Sequence, residues 1–336
     1  MVAVTSGKLL ITGGSGYIGA WIVKSAVDRG YSVVAAVRTD SQGQFLVNRF
    51  PEYHGKVSYV LIPVIEKDGA YDEAVKDVDG IIHAASPVIL KWDNPEAEVL
   101  RPAIRGALGI LESARKYGKN VKRIVLTSSG AAIGMPIERD GKMTVWNTLD
   151  TAQFEALGKN SSPLTVYFAS KTYAEQSSWA WVKEHKPSWD FVTILPPLIF
   201  GPYIHQPGKP HFGSSPGLLL EKALGVADTS GTYTNDCADV RDTADFHLLA
   251  LENPDASGER VLIGPGEWFP ESLGGASRPG VFNFFFVNRL VLIALRARDS
   301  RMWMFQGRRE RNRSCLLSFL CLSAASVLCF LSAVGE

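Results

Sequence analysis

A chain of 336 residues with 46% hydrophobic side chains can bury a sizeable core in one large α/β domain, with or without a smaller lobe. A formal net charge of +1 argues against nucleic acid or an acidic surface as a partner held through bulk charge. The four cysteines, Cys237, Cys315, Cys321 and Cys329, fit neither a disulfide framework nor a zinc site, so no metal is expected.

Lys8 precedes only a short apolar stretch that ends in glycines, which is no secretory signal, and a cytoplasmic protein is the expectation. Lys8–Thr12 reads as a short buried strand. Tyr17–Arg29 reads as a helix, with Ile18, Ile22, Val23, Ala26 and Val27 at helical spacing. Strands follow at Tyr31–Val37, Val57–Val64 and Gly80–Ala85. Pro95–Tyr117 predicts a long helix with Pro95 in its first turn. Lys122–Thr127 is a fifth strand, Thr165–Lys186 a second long helix and Phe191–Leu195 a sixth strand. Residues 196–236 are rich in Gly, Pro and Ser, with a helix candidate at Pro216–Leu224. Asp242–Glu252 predicts a helix capped by Asp242, and Glu259–Ile263 one more strand. This alternation predicts an α/β fold: a doubly wound parallel (Rossmann) sheet, a smaller loop-rich substrate lobe and an atypical C-terminal tail. The expected division is a dinucleotide-binding domain over 1–200, with 130–162 partly facing substrate. Substrate lobe and returning strands follow over 201–271, and the tail over 272–336.

Gly13-Gly14-Ser15-Gly16-Tyr17-Ile18-Gly19 lies between the first strand and the first helix, where a dinucleotide loop belongs. Gly13 would permit the tight turn, Gly16 the approach of a pyrophosphate to the helix N-terminus, and Gly19 close packing of helix on sheet. Arg38, just past the second strand, favours the 2′-phosphate of NADP(H) over NAD(H), although Asp40 could fold back onto a ribose. Tyr167 and Lys171 stand four apart on one helix face, the only Tyr-x-x-x-Lys pair in the chain. They follow a strand ending Thr127-Ser128-Ser129.

Together with His83-Ala84-Ala85-Ser86-Pro87, Pro196-Pro197, Phe200-Gly201-Pro202 and Asp239-Val240-Arg241-Asp242, these motifs resemble the extended short-chain dehydrogenase/reductase family. The branch is that of dihydroflavonol reductase, cinnamoyl-CoA reductase and microbial aldehyde and ketone reductases. The resemblance runs from about Lys8 to Gly264. It implies NADPH-dependent, reversible reduction of a small aldehyde or ketone, with Tyr167 as acid/base and Lys171 also holding the nicotinamide ribose. Ser129, rather than Ser128, would hydrogen-bond the carbonyl oxygen as an oxyanion donor does. An ammonium one helical turn from a phenol stabilises the phenolate, which is the chemical reason for the pair. The resemblance also places Tyr17, Ile18, Ala84, Ala85 and Pro196 beside the cofactor. His83 is expected to line the crevice by its backbone and His247 to sit on a helix, neither with metal-ligand company.

The chain departs from that family in several places. Gln42 stands near the position of a lysine, Pro63-Val64-Ile65 where an acidic residue helps hold adenine, and no asparagine-tryptophan-tyrosine signature precedes Tyr167. The last absence argues against a CoA thioester substrate. Residues 272–336 carry nine arginines, no lysine and three acidic residues, with no family pattern. Val281–Leu295 lacks a helical stripe and is expected to pack poorly on the core. Residues 315–334 carry no charge and could cross a bilayer, with Arg308–Arg313 on the cytoplasmic side. Two readings of the tail stay open: a membrane anchor that leaves the enzyme domain in the cytosol, or a gene-model artefact. Loss of lysine and of family pattern favours the second. Two other functions also stay open, a nucleotide-sugar epimerase and a non-catalytic NADP-binding sensor.

Overall fold

The computed structural model describes residues 3–53, 55–87, 91–133, 138–139, 142–143, 157–205, 215, 237–264, 283–287, 290–297 and 300–307. It begins with β1 (Lys8–Thr12), a turn through Gly13 and α1 (Tyr17–Asp28). Then come β2 (Ser32–Val37), α2 (Asp40–Arg49), β3 (Val57–Leu61) and β4 (Gly80–His83). A π-helical turn over Glu96–Leu100 runs directly into α3 (Arg101–Tyr117). Its start is held reciprocally: Asn94 Oδ1 accepts from the Ala97 amide at 3.2 Å, and Glu98 Oε1 accepts from the Asn94 amide at 2.8 Å. β5 (Arg123–Thr127) is followed by a small hairpin, β6 (Glu138–Arg139) and β7 (Lys142–Met143). Next are α4 (Pro163–His185), β8 (Asp190–Leu195), β9 (Leu198–Phe200) and β10 (Cys237–Asp239). α5 (Val240–Glu252) and β11 (Arg260–Gly264) complete the predicted elements.

Seven strands in the order β3-β2-β1-β4-β5-β8-β11 pair in parallel. The order reverses between β1 and β4, and at such a switch point an open α/β sheet leaves a crevice beyond its strand ends. Alternate residues of the central strands feed opposite cores, as the two-residue period of a strand requires. Leu9, Ile11, Ile82, Val125 and Val192 join α1 and α5 on one face. Leu10, Ile81, Ile124, Leu126 and Phe191 join α3 and α4 on the other. Arg123 is buried, yet its Nη1 donates to the carbonyls of Ala250 and Asn253 at 2.8 and 2.5 Å, and its Nη2 to Asp190 Oδ2 at 3.0 Å. It thus satisfies carbonyls at the end of α5 that the helix itself leaves unpaired.

Three outcomes differ from the sequence pattern. α2 stands where the sequence reading placed no element; Thr39 starts it by accepting from the Gln42 amide. α5 begins two residues earlier than expected, and its cap is Asp239, not Asp242: Asp239 Oδ1 accepts from the Arg241 amide at 2.8 Å. The third concerns the region beyond residue 272. There the backbone forms β12 (Asn283–Val287), β13 (Leu290–Ala297) and β14 (Ser300–Gly307). β14 lies parallel beside β11, and β12–β14 form an antiparallel meander. The pairing joins the backbone of these residues to the edge of the sheet; the expectation of poor packing concerns their side chains, which lie outside the described residues. An apolar run without a helical stripe is compatible with a strand. The helix candidate at 216–224 and the candidate membrane segment at 315–334 lie outside the described residues. Among the described residues, no helix is long and apolar enough to cross a membrane.

Candidate active site

The turn after β1 is built on Gly13, whose φ of +67° favours glycine, and the Gly16 amide donates to Gly13 O at 2.9 Å. A Cβ on Gly19 would stand 2.0 Å from Gly13 O, so only glycine lets α1 start this close to the strand. A Cβ on Gly13 would lie 3.0 Å from the Ala85 amide nitrogen. The loop and the Ala84-Ala85 backbone are therefore in close contact. No side chain caps α1 at Gly16, and no acidic residue occupies its first turn. The positive end of α1 is thus presented at the switch point without a carboxylate of the chain's own, which fits the pyrophosphate of a dinucleotide held by Gly13, Gly16, Tyr17, Ile18 and Gly19. Thr12, which the sequence pattern passed over, sits beneath this loop. Its hydroxyl accepts from the Ala85 amide at 3.1 Å and meets His83 Nδ1 at 2.9 Å. His83 is fully buried. Desolvation, reinforced by the charge of Lys171, pulls its pKa from 6.5 to about 3, so it is neutral. Its ring meets that of Tyr71 edge-on, with ring centres 5.7 Å apart.

Arg38 is exposed just beyond β2. Asp40 is committed elsewhere: its Oδ1 accepts from the Tyr59 hydroxyl and its Oδ2 from Gln44 Nε2, both at 2.6 Å. Tyr59 packs against Gly43 of α2, where a side chain would collide with its ring. The acidic residue that could have met a ribose therefore helps fasten α2 to β3.

On the other side of β4, the end of β5 turns through Ser128, Ser129 and Gly130. The Ser128 and Gly130 amides donate to the carbonyls of Ile194 and Pro196 at 2.7 and 2.8 Å, which binds this turn to the end of β8. Pro196 is thereby beside Ser129, its carbonyl already engaged. Ser129 Oγ accepts from the Ala131 amide at 3.1 Å, which leaves its proton available for donation. α4 carries Tyr167 to this turn, with 3.4 Å between the Tyr167 and Ser129 hydroxyl oxygens. Two donors that far apart can both reach one oxygen at about 2.8 Å, and such bonds are commonly long before a reactant lies between them. Lys171 Nζ stands 5.9 Å from the Tyr167 ring centre on the same face of α4. Ser129, Tyr167 and Lys171 therefore meet as their spacing predicted. A further aromatic group stands over α1: Tyr17 donates to Gly201 O at 2.9 Å and packs against Tyr203, with ring centres 5.1 Å apart. Most of 130–162 and 203–225, expected to shape the pocket, lies outside the described residues. Among the described residues no cluster of His, Cys, Asp and Glu could hold a metal.

A doubly wound sheet with a glycine loop at its switch point defines the dinucleotide-binding α/β proteins, and the Ser-Tyr-Lys grouping narrows the class to the extended short-chain dehydrogenases and reductases. Residues 9–264 match the NAD dependent epimerase/dehydratase family, and the chain belongs to it. It is 36% identical over 279 residues to a ketoreductase of Aspergillus niger, a match covering 81% of each chain. It is 30% identical over 260 residues to a bifunctional dihydroflavonol 4-reductase/flavanone 4-reductase of Malus domestica, covering 76% of this chain and 71% of that one. Among solved structures it is similar to Gre2 of Candida albicans in complex with NADPH. That match has a TM-score of 0.67 at 27% identity over 77% of this chain and 78% of the other.

Proposed function

We propose that this chain is an NADPH-dependent reductase that converts an aldehyde or ketone into the alcohol, acting on small molecules in the cytoplasm. The observation that carries the reading is the pair of hydroxyls of Tyr167 and Ser129, 3.4 Å apart at the carboxyl edge of the sheet, with Lys171 one helical turn away. Bound NADPH supplies a hydride to the carbonyl carbon. Tyr167 gives its hydroxyl proton to the carbonyl oxygen, and Ser129 donates a hydrogen bond to that same oxygen as charge develops on it. Lys171 places an ammonium beside the phenol and holds the nicotinamide ribose. The glycine loop, with Ala84, Ala85 and Pro196, holds the rest of the dinucleotide, and Arg38 pairs with its 2′-phosphate.

Similarity to a ketoreductase, to a dihydroflavonol 4-reductase and to Gre2 with NADPH supports this reading. The test is NADPH oxidation over a panel of methylglyoxal, isovaleraldehyde and a flavonoid-type ketone. Turnover of at least one carbonyl, lost in Tyr167→Phe, is the expected result. Stoichiometric NADPH binding with no turnover would assign a sensor instead, and tight NAD retention with turnover of a nucleotide sugar an epimerase.

A further inference from the structure

Tyr167, Lys171 and Glu175 follow one another at intervals of four residues, so one face of α4 carries all three. Glu175 is 1% exposed, and both its oxygens are engaged. Oε1 accepts from Arg260 Nε at 2.7 Å, Thr193 Oγ1 at 2.9 Å and Trp179 Nε1 at 3.3 Å. Oε2 accepts from Ser128 Oγ at 2.6 Å and Arg260 Nη2 at 3.2 Å. The donors come from the end of β5, from β8 and from β11, so one carboxylate on α4 is tied to three neighbouring strands. Arg260 grips it with two nitrogens, which fixes the plane of the carboxylate and the direction of its remaining lone pairs. Ser128 fills one of those directions, and Ser128 is the neighbour of Ser129.

A buried ion pair contributes little net stability compared with apolar packing of the same volume, so stability alone does not explain this cluster. Its geometry does something apolar contact could not do. The Ser128 amide is already tied to β8, and its hydroxyl is tied to α4. The Ser129 backbone therefore has a fixed distance to the helix that presents Tyr167. We propose that Glu175 is a positioning residue. Through Ser128 it sets the gap between the Ser129 and Tyr167 hydroxyls in which the carbonyl oxygen is held. The proposal rests on the reductase reading above.

Glu175→Gln would leave Arg260 buried without its counter-charge and is expected to impair folding, so the test acts on the other end of the link. In the full chain, Ser128→Ala removes the hydroxyl and strands no charge. Ser178→Ala is the control: Ser178 is equally buried on α4, but its hydroxyl bonds only within the helix, to Ala174 O at 2.8 Å. Kinetics would use the carbonyl of the panel that turns over fastest, with rates normalised to titrated NADPH sites. Ser128→Ala is expected to lose about tenfold in kcat, a modest cost for a small misplacement. Its KM for NADPH should stay within about twofold and its melting temperature close to that of Ser178→Ala, because the dinucleotide loop and the core are untouched. Ser128→Thr, which keeps the hydroxyl, should restore most of the rate. A Ser128→Ala kcat equal to that of Ser178→Ala, or a loss that Ser128→Thr does not restore, overturns the positioning role. Tyr167→Phe in the same series separates the two claims. If it is inactive while Ser128→Ala keeps the kcat of Ser178→Ala, only the positioning role falls; if it keeps the parental rate, the reductase reading falls.

Discussion

Arg38 and Asp40 stand two residues apart, and their surroundings sort them into different roles. Asp40 spends its carboxylate on Tyr59 and Gln44, while Arg38 extends into solvent beyond β2. Arg38→Asp is therefore expected to weaken NADPH more than NADH, because a carboxylate repels the 2′-phosphate that the guanidinium would pair with. Titration with both dinucleotides checks this, and an unchanged preference would place the phosphate elsewhere. Tyr167→Phe should cost about a hundred- to ten-thousand-fold in turnover with NADPH binding retained, as for loss of a general acid. The two buried histidines make a third prediction. Burial lowers His83 to about 3 and His247 to about 4, against an ordinary value of 6.5. Near pH 7 both are neutral, folded or unfolded. Below pH 6.5 the unfolded chain takes up protons that the folded chain refuses. Stability is thus full above that pH and falls on acidification at about 1 kcal/mol per pH unit for each histidine, down to their folded values. His247 shows why the folded state resists: its Nδ1–H donates to Thr243 O at 2.7 Å and its Nε2 accepts from the Thr127 hydroxyl at 2.8 Å. Melting temperatures between pH 7 and pH 4 measure the effect, and a flat profile would contradict it. The glycine loop and the Tyr-Lys pair were legible in the sequence because each is local. Glu175 was not, because its donors Ser128 and Arg260 lie 47 and 85 residues away.

At the scale of the element, the strands β1, β5 and β8 and the helices α1 and α4 fall within two residues of their sequence signals; in β1, β5, β8 and α1 the apolar pattern and burial agree. α2 escaped because its stability comes from outside its own sequence. Its Gly43 is a poor helical signal, yet the Tyr59 ring covers Gly43, and Asp40 ties the helix start to β3. The start of α5 was misplaced for a related reason. Asp239 and Asp242 both qualify by residue type, and only the backbone decides between them. Asp239 lies in the extended conformation that a cap requires, with φ −73° and ψ 139°. Asp242 falls inside the first turn and is exposed. Desolvation and the nearby charges of Asp239 and Asp245 raise its pKa. Asp239→Ala is expected to cost about 1 kcal/mol, the usual worth of a helix cap. Asp242→Asn should cost less, since its ionised form is disfavoured where it sits. Urea unfolding of the two variants decides the order, and a larger loss for Asp242→Asn would return the cap to that residue.

At the scale of the molecule, the parallel sheet from β3 to β11 and both of its cores are assembled from residues 4–263, nearly the span that matches the family. Side chains of β1, β2, β3, β4, β5 and β8 alternate between the two cores, and α1, α3, α4 and α5 cover both faces. This part of the chain was readable because the alternation of strand and helix admits few arrangements. The tail was not, because long apolar stretches satisfy a strand, a buried helix and a membrane segment equally well. We propose that residues 272–336 are dispensable for the dinucleotide-binding fold. A chain ending at Glu271 should then keep its NADPH affinity and its melting temperature within a few degrees. It should also stay in solution at higher concentration, because the uncharged run at 315–334 is gone. In the full chain, limited proteolysis should cut first between Ser272 and Arg313. The β11–β14 pairing supplies the opposite outcome. Arg260–Gly264 stand in register with Met302–Gln306, so removal of β14 uncovers the edge of β11. If that edge depends on its partner, the shortened chain will aggregate through it, as an unprotected strand edge does. Aggregation of the shortened chain, or resistance of residues 283–307 to protease in the full chain, would make the tail a working part of the sheet.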